Sequence, residues 1–391
     1  MKNLNVTFIV PYFYPVRGGT ENNCLHMALE TQKLGHNVRV ITSDRKGKKI
    51  FSRKLDEYKG VKIQRLRRAL FSQYYLTFLP ALPWTLLRSK ADIIHTHIPG
   101  IIWTDFSVFL KKLFHKGTIA INTPHDPFMS RDQYTFITRI LKRISEPIVR
   151  WYYPRLYDYV IAVNTDQYLW LQNKYGVDKK KIIKVLNGID EEMFNKTPLE
   201  ESLSSTYDLS GKLIITSVAR FHEYKGHQNV LKAIAGIPNK KDLNFKFLAM
   251  GEDSGMLKIL KHYVEENELE EYVSLIENPN DSTRDQLLET SEIFILASRL
   301  EGLGIVMLEA MAKGNAIIST TTEGGKFLIK EDNGLLYDFK DIELLREHIV
   351  RLIKDEATRK SMINSNYEYA RQFVWSNTYA PYAKLLDKLA K

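Results

Sequence analysis

Short apolar runs alternate with longer amphipathic stretches along the whole chain. The runs 6–10, 38–42, 61–66, 92–95, 118–122, 159–163 and 182–186 predict buried strands. Helical periodicity falls between them, over 21–34, 74–88, 101–115, 131–155 and 166–175. Thr20 and Thr165 suit helix N-caps, and Gly35 and Gly176 suit helix ends. A second series of strands is predicted at 213–218, 245–250, 273–276, 293–297 and 316–319. Turn chemistry at Asn187-Gly188-Ile189-Asp190 and a polar linker over 195–211 separate the two series. Repeated strand–helix order predicts parallel, doubly wound α/β sheets.

The chain of 391 residues is long enough for two cores, and the pattern predicts a first domain over 1–195 and a second over 196–370. Hydrophobic and charged fractions of 44% and 26% are those of a globular protein. No apolar stretch has the length of a membrane span, and the run 6–10 is too short for a signal peptide, so the expected location is cytoplasmic. Cys24 is the single cysteine, at an apolar helix position, which excludes an intrachain disulfide and a multi-thiolate metal site. The net charge of +10 is unevenly spread. Residues 1–195 hold 31 Lys and Arg against 16 Asp and Glu (+15), and 196–391 hold 25 against 30 (−5). An anionic partner should therefore meet the first half.

The densest chemistry lies in Glu301-Gly302-Leu303-Gly304-Ile305-Val306-Met307-Leu308-Glu309. It follows a strand and opens a helix that Gly314 closes. The amides of a helix N-terminus hold an anion, glycines let a phosphate come close, and carboxylates accept hydrogen bonds from sugar hydroxyls. Phosphate donors between Glu301 and Glu309 thus describe a sugar-nucleotide site. Arg220 ends the first strand of the second series and Lys225 opens the next helix, where two cations suit a diphosphate. Gly251 sits in a strand-end turn, and Gly18 and Gly19 join the first strand to its helix. His125 follows the strand at 118–122, in Thr123-Pro124-His125-Asp126. His95 and His97 have a spacing that suits metal ligands, but no third ligand has convincing spacing, so they read as lining or structural.

The stretch 298–320 resembles the signature of retaining, metal-independent glycosyltransferases of the GT-B fold, the group 1 or family 4-like enzymes with an E-x7-E motif. The resemblance extends over nearly the full chain. It implies two Rossmann-like domains facing across a cleft, with C-terminal helices, here 371–391, crossing back to the first domain. By the same resemblance Glu301 holds hydroxyls of the transferred sugar and Glu309 the ribose. The amides around Gly304 and Ile305 meet a phosphate, Gly302 and Leu303 belong to the same donor site, and Arg220 and Lys225 grip the donor diphosphate. Gly251 lies near the base, Gly18 and Gly19 lie under the phosphates, and His125 lies near the transferred sugar. An acidic residue commonly follows the glycine pair of this family closely, whereas Gly324-Gly325 is followed by Lys326-Phe327-Leu328-Ile329-Lys330, so that role is left unassigned.

Transfer passes through an oxocarbenium-like state, which calls for stabilisation of a departing diphosphate. The resemblance implies front-face attack, in which a donor phosphate oxygen takes the acceptor proton. Double displacement would need a carboxylate nucleophile, for which Asp126 is the candidate. No metal and no cofactor are implied, only a nucleoside-diphosphate sugar as donor substrate. Eleven Lys and Arg in 45–68 face only Asp56 and Glu57, and an aromatic and leucine-rich stretch follows. Arg65, Arg67, Arg68, Phe71 and Trp84 then predict docking on an anionic membrane, with a lipid-linked or saccharide acceptor. A sugar-nucleotide epimerase and a soluble disaccharide synthase are alternatives on the same fold. A nucleic-acid-binding protein is a further alternative, although no nucleic-acid motif is present and no such partner is expected.

Overall fold

The computed structural model describes residues 2–16, 18–46, 49–51, 56–69, 77–97, 102–125 and 136–391. Its contacts divide the chain into two compact units: Met1–Asn187 with Trp375–Lys391, and Gly188–Val374.

The first unit carries strands β1 (Asn5–Ile9), β2 (Asn37–Ser43), β3 (Arg45–Lys46), β4 (Lys49–Ile50), β5 (Asp56–Tyr58), β6 (Val61–Leu66), β7 (Ile93–His97), β8 (Ile119–Thr123), β9 (Tyr159–Ala162) and β10 (Ile182–Lys184). Helices α1 (Gly19–Lys33), α2 (Leu82–Leu87), α3 (Ile102–Phe114), α4 (Phe136–Leu156) and α5 (Thr165–Tyr175) connect them. The main sheet runs β10-β9-β8-β7-β1-β2-β6-β5, parallel except for the β5–β6 pair, while β3 and β4 form a separate antiparallel ladder. Both faces of the sheet are covered, and strand parity decides which core each side chain enters. Val6, Phe8, Val40, Ile93 and Ile121 enter one core, and Ile9, Ile41, Ile94, Ala120 and Val160 enter the other.

The second unit carries β11 (Leu213–Val218), β12 (Phe245–Gly251), β13 (Val273–Glu277), β14 (Ile293–Leu296), β15 (Ala316–Thr320) and β16 (Gly334–Tyr337). Its helices are α6 (Glu201–Tyr207), α7 (His227–Ala235), α8 (Leu257–Glu266), α9 (Asp281–Thr290), α10 (Ile305–Ala312), α11 (Glu323–Leu328), α12 (Ile342–Lys354) and α13 (Glu356–Ala370). The sheet runs β13-β12-β11-β14-β15-β16 and is wholly parallel. The last helices, α14 (Trp375–Thr378) and α15 (Ala380–Leu389), belong to the first unit, where Tyr379, Tyr382, Leu385 and Leu386 enter the core beneath Phe8 and Ile93.

The strands lie within a residue or two of their predicted places, and several local expectations are corrected. The helix expected over 74–88 is described only as Leu82–Leu87, because Pro80 and Pro83 remove two amide donors and Pro83 fits only a first turn. Residues 74–76 lie outside the described residues, as does the start of the helix expected at 131. The linker over 195–211 contains α6. Asn164, not Thr165, caps α5, its side chain accepting from the Gln167 amide at 2.7 Å. Gly18 rather than Thr20 occupies the cap position of α1. Strands β3, β4, β5 and β16 were not foreseen: the first two are two-residue pieces of a basic run, and Asp56-Glu57-Tyr58 and Gly334-Leu335-Leu336-Tyr337 carry weak strand patterns. Among the described residues no helix is long and apolar enough to cross a membrane.

Candidate functional site

In each sheet the strand order reverses once, between β1 and β7 in the first and between β11 and β14 in the second. Open α/β sheets leave a crevice at the carboxyl ends of those two strands. The candidate residues of each unit gather at these points.

In the second unit Arg220 follows β11, is exposed, and donates from its guanidinium to the Tyr224 hydroxyl at 2.6 Å. Lys225 Nζ donates to Glu301 Oε2 at 2.7 Å, with both side chains about four-fifths buried (16% and 20% exposed). The Arg299 amide donates to the Tyr224 carbonyl at 2.7 Å, tying the loop after β11 to the loop after β14. Gly226 makes this closeness possible. Its φ is +77°, and a Cβ there would lie 2.0 Å from the Ala297 carbonyl oxygen. Any other residue would push the Lys225 loop off β14.

Gly304 ends the Glu301 loop with φ +78° and stands at the cap position of α10. The Met307 and Leu308 amides return to its carbonyl. The remaining amides of that first turn, Ile305 among them, have no helical acceptor and favour an anion. Gly302 is half-buried and Leu303 buried, and the Gly324 amide donates to the Glu301 carbonyl at 3.3 Å, so α11 braces the loop. Gly251 closes β12, its carbonyl accepting from the Asn278 amide at 3.0 Å. Glu309 of α10 is half-buried. Burial pushes its carboxyl above the usual value of 4.5; Arg284 of α9 opposes this, while Asp285, Asp190 and Asp281 reinforce it. Arg284 also pairs with Asp285 at 2.8 Å.

In the first unit a row of histidines stands at the reversal point. His95 and His97 lie on β7, and parity puts them on the same face as Ile93 and, across the register, near Thr123 of β8. His95 is fully partnered: Nδ1 hydrogen-bonds the Tyr382 hydroxyl at 2.8 Å and Nε2 the Thr123 hydroxyl at 2.7 Å. It holds α15 to the sheet and has no ring nitrogen left over. His97 Nδ1 hydrogen-bonds His125 Nε2 at 2.7 Å. The rings stack, with centroids 4.7 Å apart for His95 and His97 and 5.0 Å for His97 and His125. His125 has φ +53°, which turns its imidazole back over β7. Burial lowers the pKa of His125 to about 3 and those of His95 and His97 well below 6.5, so all three are neutral. Among the described residues no group of His, Cys, Asp and Glu is arranged to hold a metal.

Gly18 and Gly19 open α1 beside the buried Glu21. Cys24 is a packed thiol pushed above 9.0, first by burial and then by Glu21. Asp126 and Phe71 lie outside the described residues. The expected basic docking face is partly corrected. Arg65 is buried, donating to the Tyr14 carbonyl at 2.5 Å and to Asp56 at 3.2 Å, because strand parity puts it on the same buried face of β6 as Val61 and Ile63. Arg68 donates from its backbone amide to Asp44 Oδ1 at 3.0 Å and from its side chain to the Tyr12 hydroxyl. Arg67 and Trp84 are exposed, with the Arg88 guanidinium 4.8 Å over the Trp84 ring. Sequence reasoning missed Tyr224 and Arg284, which lie on turns and helix faces that carry no motif.

Two family models match the chain: Glycosyltransferase Family 4 over residues 17–193 and Glycosyl transferases group 1 over 203–369. The D-inositol 3-phosphate glycosyltransferase of Corynebacterium glutamicum is 27% identical over 237 residues, 58% of this chain and 57% of that relative. The chain therefore matches little more than half the length of that relative. Among solved structures, sucrose-phosphate synthase from Thermosynechococcus elongatus superposes with a TM-score of 0.76 at 18% identity, covering 99% of both chains. Anabaena HepE, solved in complex with UDP and glucose, gives 0.74 at 16% identity, covering 99% of this chain and 100% of that one. The two units thus have the GT-B fold, and with family models matching nearly its whole length the chain belongs to the group 1 and family 4 glycosyltransferases, the retaining enzymes that its sequence resembles.

Proposed function

We propose that the chain moves a hexose from a nucleoside-diphosphate sugar to an acceptor with retention and without a metal. The Lys225–Glu301 ion pair at the reversal point of the second sheet carries this reading. It joins a cation suited to a diphosphate to a carboxylate suited to sugar hydroxyls, beside the open amides of α10. Lys225 has three donors and can serve Glu301 and a phosphate oxygen together. Arg220 and the α10 amides add positive potential where the leaving diphosphate gains charge, the role that a metal fills in other sites. Glu309 suits the ribose. Front-face attack is the mechanism we propose; Asp126, the candidate nucleophile of a double displacement, lies outside the described residues. Uridine diphosphate glucose is the first donor to test, because HepE has been solved with UDP and glucose.

A thermal-shift panel of nucleoside diphosphates and their sugars tests the reading, since a ligand stabilises by its occupancy. Stabilisation by one nucleotide series and activity insensitive to EDTA are the expected results. A protein indifferent to the whole panel, or one that requires added metal, would overturn the proposal.

We infer further that the acceptor is lipid-linked and that the first unit meets an anionic membrane. The +15 charge of residues 1–195 supports this, together with a wide exposed apolar surface. On α3, Phe106, Phe109 and Leu113 recur at helical spacing and are 43%, 51% and 54% exposed, with Phe114 beside them. Trp84 on α2 and Trp151 on α4 are 60% and 66% exposed, each with an arginine over its ring. Aromatics beside cations suit an interface of anionic headgroups. Replacing Trp84, Phe109 and Phe114 with Ser should weaken sedimentation with anionic vesicles and leave turnover on a short water-soluble acceptor near wild type. Vesicle binding equal to wild type would remove this reading.

A further inference from the structure

His97 is buried, 2% exposed, and one of its ring nitrogens has no partner among the described residues. That nitrogen is Nε2; the other, Nδ1, meets His125 Nε2 at 2.7 Å. A neutral imidazole carries one proton, so two arrangements are open. If His97 held its proton on Nε2, a buried N–H would lack an acceptor among the described residues, a rare and costly state. If it holds the proton on Nδ1, the proton is used in the bond to His125 and only a lone pair goes unpaired. The second arrangement is favoured. His125 Nε2 must then accept, which leaves its own proton on Nδ1.

We infer that His97 is a positioning residue that locks His125 in the Nδ1–H tautomer, so that His125 acts as a neutral hydrogen-bond donor and not as a base. The stack of His95, His97 and His125, with Phe8 tilted against His95, holds the ring planes, and His95 is anchored at both nitrogens by Tyr382 and Thr123. His125 stands in left-handed backbone, φ +53°, with its Nε2 on His97 and its Nδ1 outside that bond. With Nε2 occupied as an acceptor and Nδ1 already protonated, the ring has no basic site to offer. Its ligand is therefore an acceptor atom, and a hydroxyl oxygen of the transferred sugar fits that chemistry. This last step rests on the proposed glycosyl transfer; the tautomer does not.

The test has two arms. The 15N resonances of His125 in the nucleotide-free protein report which ring nitrogen carries the proton. The expected pattern is a protonated Nδ1 and a bare Nε2, unchanged across pH 6 to 8. Kinetics supply the second arm. His97→Leu should lower kcat/KM for the sugar donor about tenfold, the value of one hydrogen bond at the transition state. Affinity for the free nucleoside diphosphate, which lacks the sugar, should stay as in wild type. His97→Asn keeps an N–H close to the Nδ1 position and should restore most of the loss, while His97→Asp, an acceptor, should not. A His125 protonated on Nε2, or an Asn variant as impaired as the Leu variant, would overturn the inference. A protein with the expected tautomer that binds no sugar nucleotide would instead remove the proposed function and leave the inference standing.

Discussion

Lys225→Met removes the cation at the centre of the proposed donor site and leaves its partner Glu301 in place. The lost contact is a charge-assisted hydrogen bond of 2.7 Å between side chains only 16% and 20% exposed. Bonds to charged groups contribute about 1.5–3 kcal/mol. Each 1.36 kcal/mol of barrier is a factor of ten, so the expected fall in rate is roughly ten- to a hundredfold. Residual exposure screens the pair and argues against a larger effect. Negative charge on the leaving diphosphate grows along the reaction, so the loss should appear in kcat and only weakly in nucleotide affinity. Steady-state kinetics with saturating acceptor, set beside calorimetric affinity for the nucleoside diphosphate, separates the two. Glu301→Gln should combine with Lys225→Met less than additively, because the pair is in direct contact. A Lys225→Met enzyme with kcat within twofold of wild type would refute the reasoning. An equal loss in affinity and kcat/KM at constant kcat would place Lys225 in ground-state binding instead.

Glu309→Ala should weaken nucleotide affinity about ten- to a hundredfold, the value of a charge-assisted bond to ribose, as read by calorimetry. The folded carboxyl titrates above its unfolded value, so the fold is penalised for its charge at high pH and relieved as pH falls through the raised value. Glu309→Gln should therefore raise Tm at pH 7, with the gain vanishing in acid; a lower Tm at pH 7 would contradict the burial argument. The neutral histidines act in the opposite sense: their folded values lie below 6.5, so the unfolded chain takes up protons first and stability is lost as pH falls from about 6.5 toward 3. His125→Asn should flatten the acid limb of Tm against pH, and an unchanged limb would clear His125 of that role. Gly226→Ala should cost more in urea unfolding than Gly314→Ala. Both have φ near +78°, worth about 1–2 kcal/mol of left-handed strain, but only the first drives a Cβ to 2.0 Å from a carbonyl oxygen, against 3.6 Å from a side-chain methyl. Equal losses would mean that the loop yields freely.

Much of the fold was legible because a parallel sheet covered on both faces writes itself as short apolar runs. The runs 61–66 and 213–218 match β6 and β11 residue for residue. Edge elements were less legible. β5 is mostly exposed and pairs only with β6, so its Asp56-Glu57-Tyr58 carries no apolar signal. The Glu301–Glu309 run announced its own loop and helix, because Gly304 and the apolar residues of α10 are a local pattern.

Long-range partners were not legible. Lys225 and Glu301 stand 76 positions apart and meet because β11 and β14 are neighbours and Gly226 lets their loops touch. Arg65 read as one more surface cation, yet the parity of β6 turns it to the buried face, where it meets the Tyr14 carbonyl. His95 and His97 read alike in the sequence, two residues apart on one strand face. The structure separates their roles: Tyr382, from the far end of the chain, occupies His95, while His125 occupies His97. The sequence by itself determined the periodic elements, the glycine turns and the charge of each half, since these depend on residues close along the chain. Which side chains share a hydrogen bond was decided by strand order and register, which join residues that no local pattern connects.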